Sequence, residues 1–332
     1  MIALIGLLIW HRMIAFVEGS GSGSVTGLAD EVHRIFSEDG LLSKSPDFAY
    51  RPQQQQMATE VASTLEQSRV LTVEAGTGVG KSLAYLIPAV KFAIESGKKA
   101  VISTHTINLQ EQLTGKDIPI VKKLLGVDFE AVLLKGRQNY LCPLRLRIAM
   151  DSKSDLFTSS EVEELKEIWD WAEGTSGGTL SELGFRPSAK VWSQVCSEAH
   201  ICTPRTCGTR GNCFYQKARR SVEKANVVVV NHTLFFSLLD SVVEERDERD
   251  MGYIFPNDFV IFDEAHTLED VAAGQLGLRL SQSGLRFDVS RLYNPRNKKG
   301  LLKQLRSGEG IQAAEDLLDR AQDFFDELAE CI

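Results

Sequence analysis

The run Val70-Leu71-Thr72-Val73-Glu74-Ala75 leads straight into Gly76-Thr77-Gly78-Val79-Gly80-Lys81-Ser82, and a helical apolar pattern begins at Lys81. Strand, glycine-rich loop and helix in that order form a P-loop in its confirming context, with Ala75 in place of the first glycine of G-x-x-x-x-G-K-[ST]. Glycines there let backbone N–H groups close around phosphate oxygens at a helix N-terminus. Ala75, Gly76, Thr77, Gly78, Val79, Gly80, Lys81 and Ser82 are therefore the candidate nucleotide cradle. Lys81 supplies charge for the outer phosphates, and Ser82 offers a hydroxyl to Mg2+. A strand that ends in such a loop belongs to an open, mostly parallel sheet, whose ligands bind at the carboxyl ends of the strands.

The remaining pattern agrees with that architecture. Strand-like apolar runs at Ala100 to Ser103, Phe129 to Leu134, Val227 to Val230 and Phe259 to Phe262 alternate with helical stretches. They are continuous rather than alternating, as expected of strands covered on both faces. The fold class is thus α/β, a parallel sheet with helices on both sides. One interval breaks the rhythm. Between Cys142 and Cys213 no comparable strand appears, and a helix signalled by a Ser160-to-Glu163 capping box carries Val162, Leu165, Ile168, Trp169 and Ala172 on one face. This interval reads as an inserted domain. Residues 1–27 read as an extension joined by a Gly/Ser linker, since the apolar MIALIGLLIW is shorter than the ~20 residues of a membrane span and lacks a charged signal region. No membrane association and a cytoplasmic location are expected. The sheet domain is expected over 28–141 and 214–267, and from 268 to 332 the pattern is helical. Leu28, Val32, Ile35 and Phe36 form a short amphipathic helix ahead of the sheet.

Two further constellations carry chemistry. Phe259-Val260-Ile261-Phe262 delivers Asp263-Glu264-Ala265-His266 to a strand end. In P-loop enzymes an acid at that position holds Mg2+, which assigns Asp263 as ligand and Glu264 as acceptor of a proton from the attacking water. His266 completes the tetrad, and Lys81, Asp263, Glu264 and His266 are the candidate catalytic residues. The second constellation is Cys196, Cys202, Cys207 and Cys213, with Cys142 upstream. The cluster has no C-x2-C pair, which leans away from a structural zinc site without excluding it, and four thiolates can hold a [4Fe–4S] cluster.

Net charge of −8 argues against a nucleic-acid partner only if it is evenly spread. It is not. Lys135, Arg137, Arg145 and Arg147 crowd one stretch without an acid; Arg205, Arg210, Lys217, Arg219, Arg220 and Lys224 crowd another against Glu223 alone. Both adjoin the cysteines and read as a surface that tracks phosphates. Tyr140, Phe214 and Tyr215 are candidates for base stacking or for packing around the cluster. Ser103 to Thr106 and Asn231-His232 sit at strand ends, where a ligand-facing role competes with ordinary turn chemistry.

EAGTGVGKS and FDEAH together resemble motifs I and II of superfamily 2 helicases, and YRPQQQQM is similar to the Q-motif region that reads adenine. KGRQNYLCP, the spaced cysteines and VVVVNHTLFF narrow the resemblance to the DinG/XPD-like iron–sulfur DNA helicases, nearer the bacterial branch. It spans roughly 28 to 332, with the most distinctive motifs between Arg51 and His266. The resemblance implies a RecA-like motor domain, an iron–sulfur insertion over 142–213, the start of an arch-like helical domain over 268–332, and ATP-driven 5′-to-3′ movement on DNA. It implies ATP, Mg2+ and a [4Fe–4S] cluster as cofactors, and a monomer acting on single-stranded, forked or structured DNA. It also places Arg51 and Gln54 at the adenine and maps the cluster ligands onto Cys142, Cys202, Cys207 and Cys213, leaving Cys196 and Cys331 aside. A second RecA-like domain bringing arginine fingers is expected beyond Ile332, so the 332 residues alone are expected to be weak ATPases. The competing reading is a non-catalytic iron–sulfur module that binds nucleotide and DNA.

Overall fold

The computed structural model describes residues 2–6, 27–45, 48–76, 78–153, 157–198, 212–244, 258–277, 280–296 and 298–331. Their centre is a six-stranded sheet ordered β2-β1-β6-β3-β5-β4. The strands are β1 (Ile2–Gly6), β2 (Leu71–Val73), β3 (Ala100–Thr104), β4 (Ala131–Leu133), β5 (Val227–Asn231) and β6 (Phe259–Phe262). Pairings of β6 with β3, β3 with β5, and β5 with β4 are parallel. β1 is antiparallel to both β2 and β6, so β2 runs the same way as β6. The loops after β2, β3, β5 and β6 therefore leave the same edge of the sheet.

β1 departs from the sequence expectation. Residues 1–27 were expected to lie outside the fold, yet Ile2–Gly6 pair with Leu71–Val73 on one side and Phe259–Phe262 on the other. The physical reason is that two adjacent strands need their inner backbone groups paired, and an apolar segment can supply that ladder in either direction. The Gly/Ser linker lies outside the described residues.

The continuous apolar strands have the predicted cause. Along β3, Ala100 and Ile102 enter one core while Val101 enters another; along β5 Val227 and Val229 part from Val228 and Val230, and along β6 Phe259 and Ile261 part from Val260 and Phe262. Each side chain is buried because both faces are covered. One face carries α1 (Leu28–Ile35), α2 (Pro52–Glu66) and α3 (Lys81–Ser96), through residues such as Val32, Val61 and Leu86. A longer helical stretch packs there too: α4 (Ile107–Gln112) and α5 (Ile118–Leu125) are joined through one π-helical turn, Leu113–Asp117. The opposite face carries Val222 and Phe235.

Between β4 and β5 the chain builds α6 (Pro143–Asp151), α7 (Ser159–Gly174), α8 (Ala189–Val195) and α9 (Phe214–Lys224). Leu141, Leu146, Leu165, Ile168, Val191, Trp192 and Val195 give this region a hydrophobic core of its own. The helix cap sits two residues earlier than predicted. Thr158 is the N-cap of α7 and Glu161 closes the box, because Thr158 adopts the extended conformation and its hydroxyl reaches the Glu161 N–H. After β5 come α10 (His232–Glu244), β6 and α11 (Leu268–Leu276).

A second compact unit covers Leu276–Ile332. It contains α12 (Gln282–Leu292), α13 (Leu301–Gln304) and α14 (Gly308–Glu330), whose core gathers Val289, Tyr293 and Ala314. Leu318 packs against that core, whereas Leu317, Phe324 and Leu328 are exposed.

Candidate nucleotide-binding site

β2 is only three residues long, and the chain leaves it for the glycine loop at the sheet's carboxyl edge. Gly78 and Gly80 hold φ of 82° and 83°, left-handed values that carry almost no steric cost only for glycine. Gly80 is the N-cap of α3, so its successors present unpaired N–H groups at the positive end of a sixteen-residue helix. A Cβ at Gly76 or Gly78 would meet nothing within 4 Å, so there is open space in front of the loop. Thr77 lies outside the described residues.

The glutamine tract acquires a register here. Of the four consecutive glutamines, Gln54 and Gln55 are buried and Gln53 and Gln56 are exposed. Gln54 donates its Nε2–H to the Gly80 carbonyl at 2.8 Å, and a side chain on Gly80 would collide with that amide. Its Oε1 is buried without a partner. A buried amide oxygen beside a phosphate loop is an acceptor awaiting a donor such as a purine amine. Gln55 faces away and bonds Tyr50 and the His33 carbonyl. Arg51, the N-cap of α2, is exposed.

β6 brings its acids to the same edge. Asp263 is 7% exposed; its Oδ2 accepts from the Tyr85 hydroxyl at 3.0 Å and its Oδ1 from the Glu264 N–H at 3.0 Å. Burial pushes the Asp263 carboxyl above the ordinary carboxylate range, with the Tyr85 hydroxyl opposing and the Glu264 charge adding. Glu264 lies 3.9 Å from the Lys81 ammonium and 3.3 Å from the His266 Nδ1. P-loop lysine, buried aspartate and half-exposed glutamate are thus gathered, and His266 joins them only through Glu264, with 59% of its side chain exposed. The glycine cradle, the unpartnered Gln54 oxygen and the desolvated Asp263 carboxylate fit a Mg2+–nucleoside triphosphate.

Sequence reasoning missed two residues here. Tyr85 sits one turn into α3, fully buried, and orients Asp263. Asp117 closes the π-helical turn, buried with an unpartnered Oδ2 and its carboxyl raised by burial, with the Ser82 hydroxyl acting against the rise. Single π turns recur at functional sites. Nothing in the apolar periodicity marks either residue, since both arrive at the site through tertiary packing.

The cysteine region is only partly described, as Cys202 and Cys207 lie outside the described residues. Cys142 and Cys213 are the N-cap residues of α6 and α9, neither capping with its side chain. Pro143 and Cys213 line one cavity of about 510 Å3 together with Asn212, Phe214 and Thr175. Cys196 is different. It ends α8, packs in the insertion core, and its Sγ faces Arg145 Nη1 at 4.0 Å and the Ser193 carbonyl at 3.9 Å. Burial raises its thiol pKa, although Arg145 opposes. Among the described residues no group of three or more His, Cys, Asp or Glu is arranged to hold a metal.

The cationic stretches are less available than their sequence suggests. Lys135 is 6% exposed and bonds Glu111 at 3.0 Å and the Ser181 hydroxyl. Arg145 bonds Glu198 and the carbonyls of Cys196 and Ser193. Arg137 stacks on Tyr215 at 4.5 Å, and Tyr215 meets Tyr140 edge-on at 5.6 Å. Tyr140 and Tyr215 are buried and Phe214 packs against the insertion core, so of the two alternatives open in the sequence these surroundings fit packing.

A glycine cradle, its lysine and a paired-acid strand end on one edge of a parallel sheet define a P-loop nucleotide-binding domain of the RecA-like class. Known proteins sharpen this. Residues 51–141 match the DEAD/DEAH box helicase family and residues 199–285 match DEAD_2. The chain is 38% identical over 305 residues to the ATP-dependent DNA helicase YoaA of Escherichia coli, covering 89% of this chain and 45% of the relative. It is 36% identical over 298 residues to the Haemophilus influenzae YoaA, covering 89% and 44%. With the ATP-dependent DNA helicase DinG of Escherichia coli it shares 31% over 259 residues, covering 71% and 34%. The chain belongs to the DinG/XPD-like family of superfamily 2 helicases. It spans less than half the length of these curated relatives. None of the described helices is long and apolar enough to cross a membrane.

Proposed function

We propose that this chain is the nucleotide-hydrolysing portion of an ATP-dependent DNA helicase that moves 5′-to-3′ on single strands and opens forked or structured duplexes in the cytoplasm. The supporting observation is the meeting of Lys81 with Glu264 at 3.9 Å beside an Asp263 that Tyr85 holds in place. In this reading the N–H groups after Gly78 and Gly80 bind the phosphates, Lys81 neutralises the outer ones, and Gln54 and Arg51 orient the adenine. Ser82 and Asp263 would hold Mg2+, which lowers the charge barrier at the phosphates when bound. Glu264 orients the attacking water and accepts its proton, and Lys81 and His266 set its direction. Residues 142–213 form the iron–sulfur insertion, with Cys142, Cys202, Cys207 and Cys213 as thiolate ligands of a [4Fe–4S] cluster beside the DNA path. Residues 214–267 return to the motor sheet and 268–332 begin an arch-like domain. Full turnover needs a second RecA-like domain, whose arginine finger is worth roughly 10³ to 10⁵ in rate in related NTPases.

The test separates binding from chemistry. Lys81→Ala should weaken binding of a fluorescent Mg2+–ATP analogue at least tenfold. Glu264→Gln should bind within about threefold of the unaltered chain yet lose its single-turnover hydrolysis. Equal binding by Lys81→Ala would remove the nucleotide assignment.

A further inference from the structure

We propose that His232 is a positioning residue that holds the Asp263–Glu264 turn from beneath and ties it to the carboxyl end of β3, a role that rests on the ATP- and DNA-dependent reading above. His232 opens α10 directly after β5 and is 1% exposed. Its Nδ1 lies 2.7 Å from the Ser103 hydroxyl, and its ring sits 6.0 Å from Phe262, the residue before Asp263. Ser103 binds the turn a second time, since its carbonyl accepts the Asp263 N–H at 2.8 Å. One residue of β3 thus grips both His232 and the metal-side aspartate.

The other ring nitrogen supplies the argument. Nε2 is buried and has no hydrogen-bond partner, while the Asp263 and Glu264 backbone faces the ring. A neutral imidazole donates through one ring nitrogen and accepts through the other. We assign the tautomer in which the Ser103 hydroxyl donates to Nδ1, which puts the proton on Nε2, facing the turn. A buried donor left unmade is unfavourable, because it has given up its water without gaining a partner. The turn it faces is strained, because Glu264 adopts a φ of 58°, left-handed for a residue that is not glycine. An orphan donor under a strained turn gives that turn a second resting place with one more hydrogen bond. Such a pair of states is what coupling between sites requires. The handle lies at the other end of the relay, where exposed His105 and Thr106 follow β3 and the His105 ring lies 6.1 Å from that of His232. A DNA phosphate settling on this rim moves Ser103 and His105, and His232 carries the movement to Glu264.

Binding linkage tests this without turnover. The dissociation constant of a fluorescent Mg2+–ATP analogue is measured for the full chain with and without a saturating thymidine oligonucleotide. The unaltered chain should bind nucleotide at least about fivefold tighter with DNA. His232→Ala and Ser103→Ala should bring that ratio to about one. His232→Gln, whose amide N–H reaches the Nε2 position, should recover at least half of the effect in logarithmic terms. A role limited to packing would lower the melting temperature and leave the ratio unchanged, and Ser103→Ala removes only a hydroxyl should the histidine variants fail to fold. Variants that keep the unaltered ratio, or an unaltered ratio of one, overturn the proposal. A chain that binds neither ligand overturns the functional reading instead.

Discussion

Three cysteines of one region meet two different physical settings. Cys142 and Cys213 stand at helix N-termini, as the N-cap residues of α6 and α9. Cys196 stands at a helix C-terminus, buried, its thiol pKa raised by desolvation. The sequence offers five cysteines between Cys142 and Cys213 without ranking them, and the resemblance alone set Cys196 aside. The burial of Cys196 now supplies a reason. Anaerobically purified chain should carry about four irons. Cys196→Ser should keep that content, and Cys142→Ser or Cys213→Ser should lose most of it; loss of iron in Cys196→Ser would reverse the choice. Gln54 tells a similar story, since four identical letters hide a register that burial makes plain, whereas Tyr85 and Asp117 leave no mark in the sequence because packing alone brings them to the site.

Between elements, the insertion is fastened to the motor by a small polar clamp. Lys135 follows β4, Glu111 lies in α4 and Ser181 belongs to the insertion; the ammonium joins all three. The exposures are unequal, with side chains 6% accessible for Lys135 and 45% for Glu111. Glu111→Ala therefore strands a buried ammonium, at a cost of about 3 kcal/mol. Lys135→Met leaves only a solvated carboxylate and keeps most of the packing, and should cost about 1 kcal/mol. Urea midpoints of the two variants should differ in that order, and a larger loss for Lys135→Met would show that packing of the side chain dominates. At this scale the sequence was most legible where periodicity is strong. The strands of Ala100, Val227 and Phe259 and the broken interval between them were readable because burial on two faces leaves few polar positions, and those at the strand ends. The cap of α7 slipped by two residues because Thr158 and Ser160 both stand three residues before a glutamate, and only backbone conformation chooses between them. β1 was not readable at all, since its pairing partners lie about 70 and 260 residues away in the chain.

Over the whole molecule, charge density in the sequence is not charge density at the surface. Nine excess positive charges crowd two stretches beside the cysteines, in a chain of net −8. The fold turns Lys135 and Arg145 inward onto Glu111 and Glu198, while Arg147 and Lys224 are exposed. A single strand bound through phosphates releases counterions in proportion to the cations that touch it, so the slope of log affinity against log salt falls by about 0.7 for each contact removed. Arg147→Ala and Lys224→Ala should each reduce the slope by about that amount and weaken binding evenly across sequences. Arg145→Met should leave the slope unchanged and instead lower the urea midpoint, because it strips the Cys196 and Ser193 carbonyls and Glu198 of their partner. A titration of oligonucleotide binding at several salt concentrations decides it. If Arg145→Met flattens the slope as much as Arg147→Ala does, the inward-facing cations also reach the nucleic acid, and the phosphate-tracking surface must include the insertion's own ion pairs.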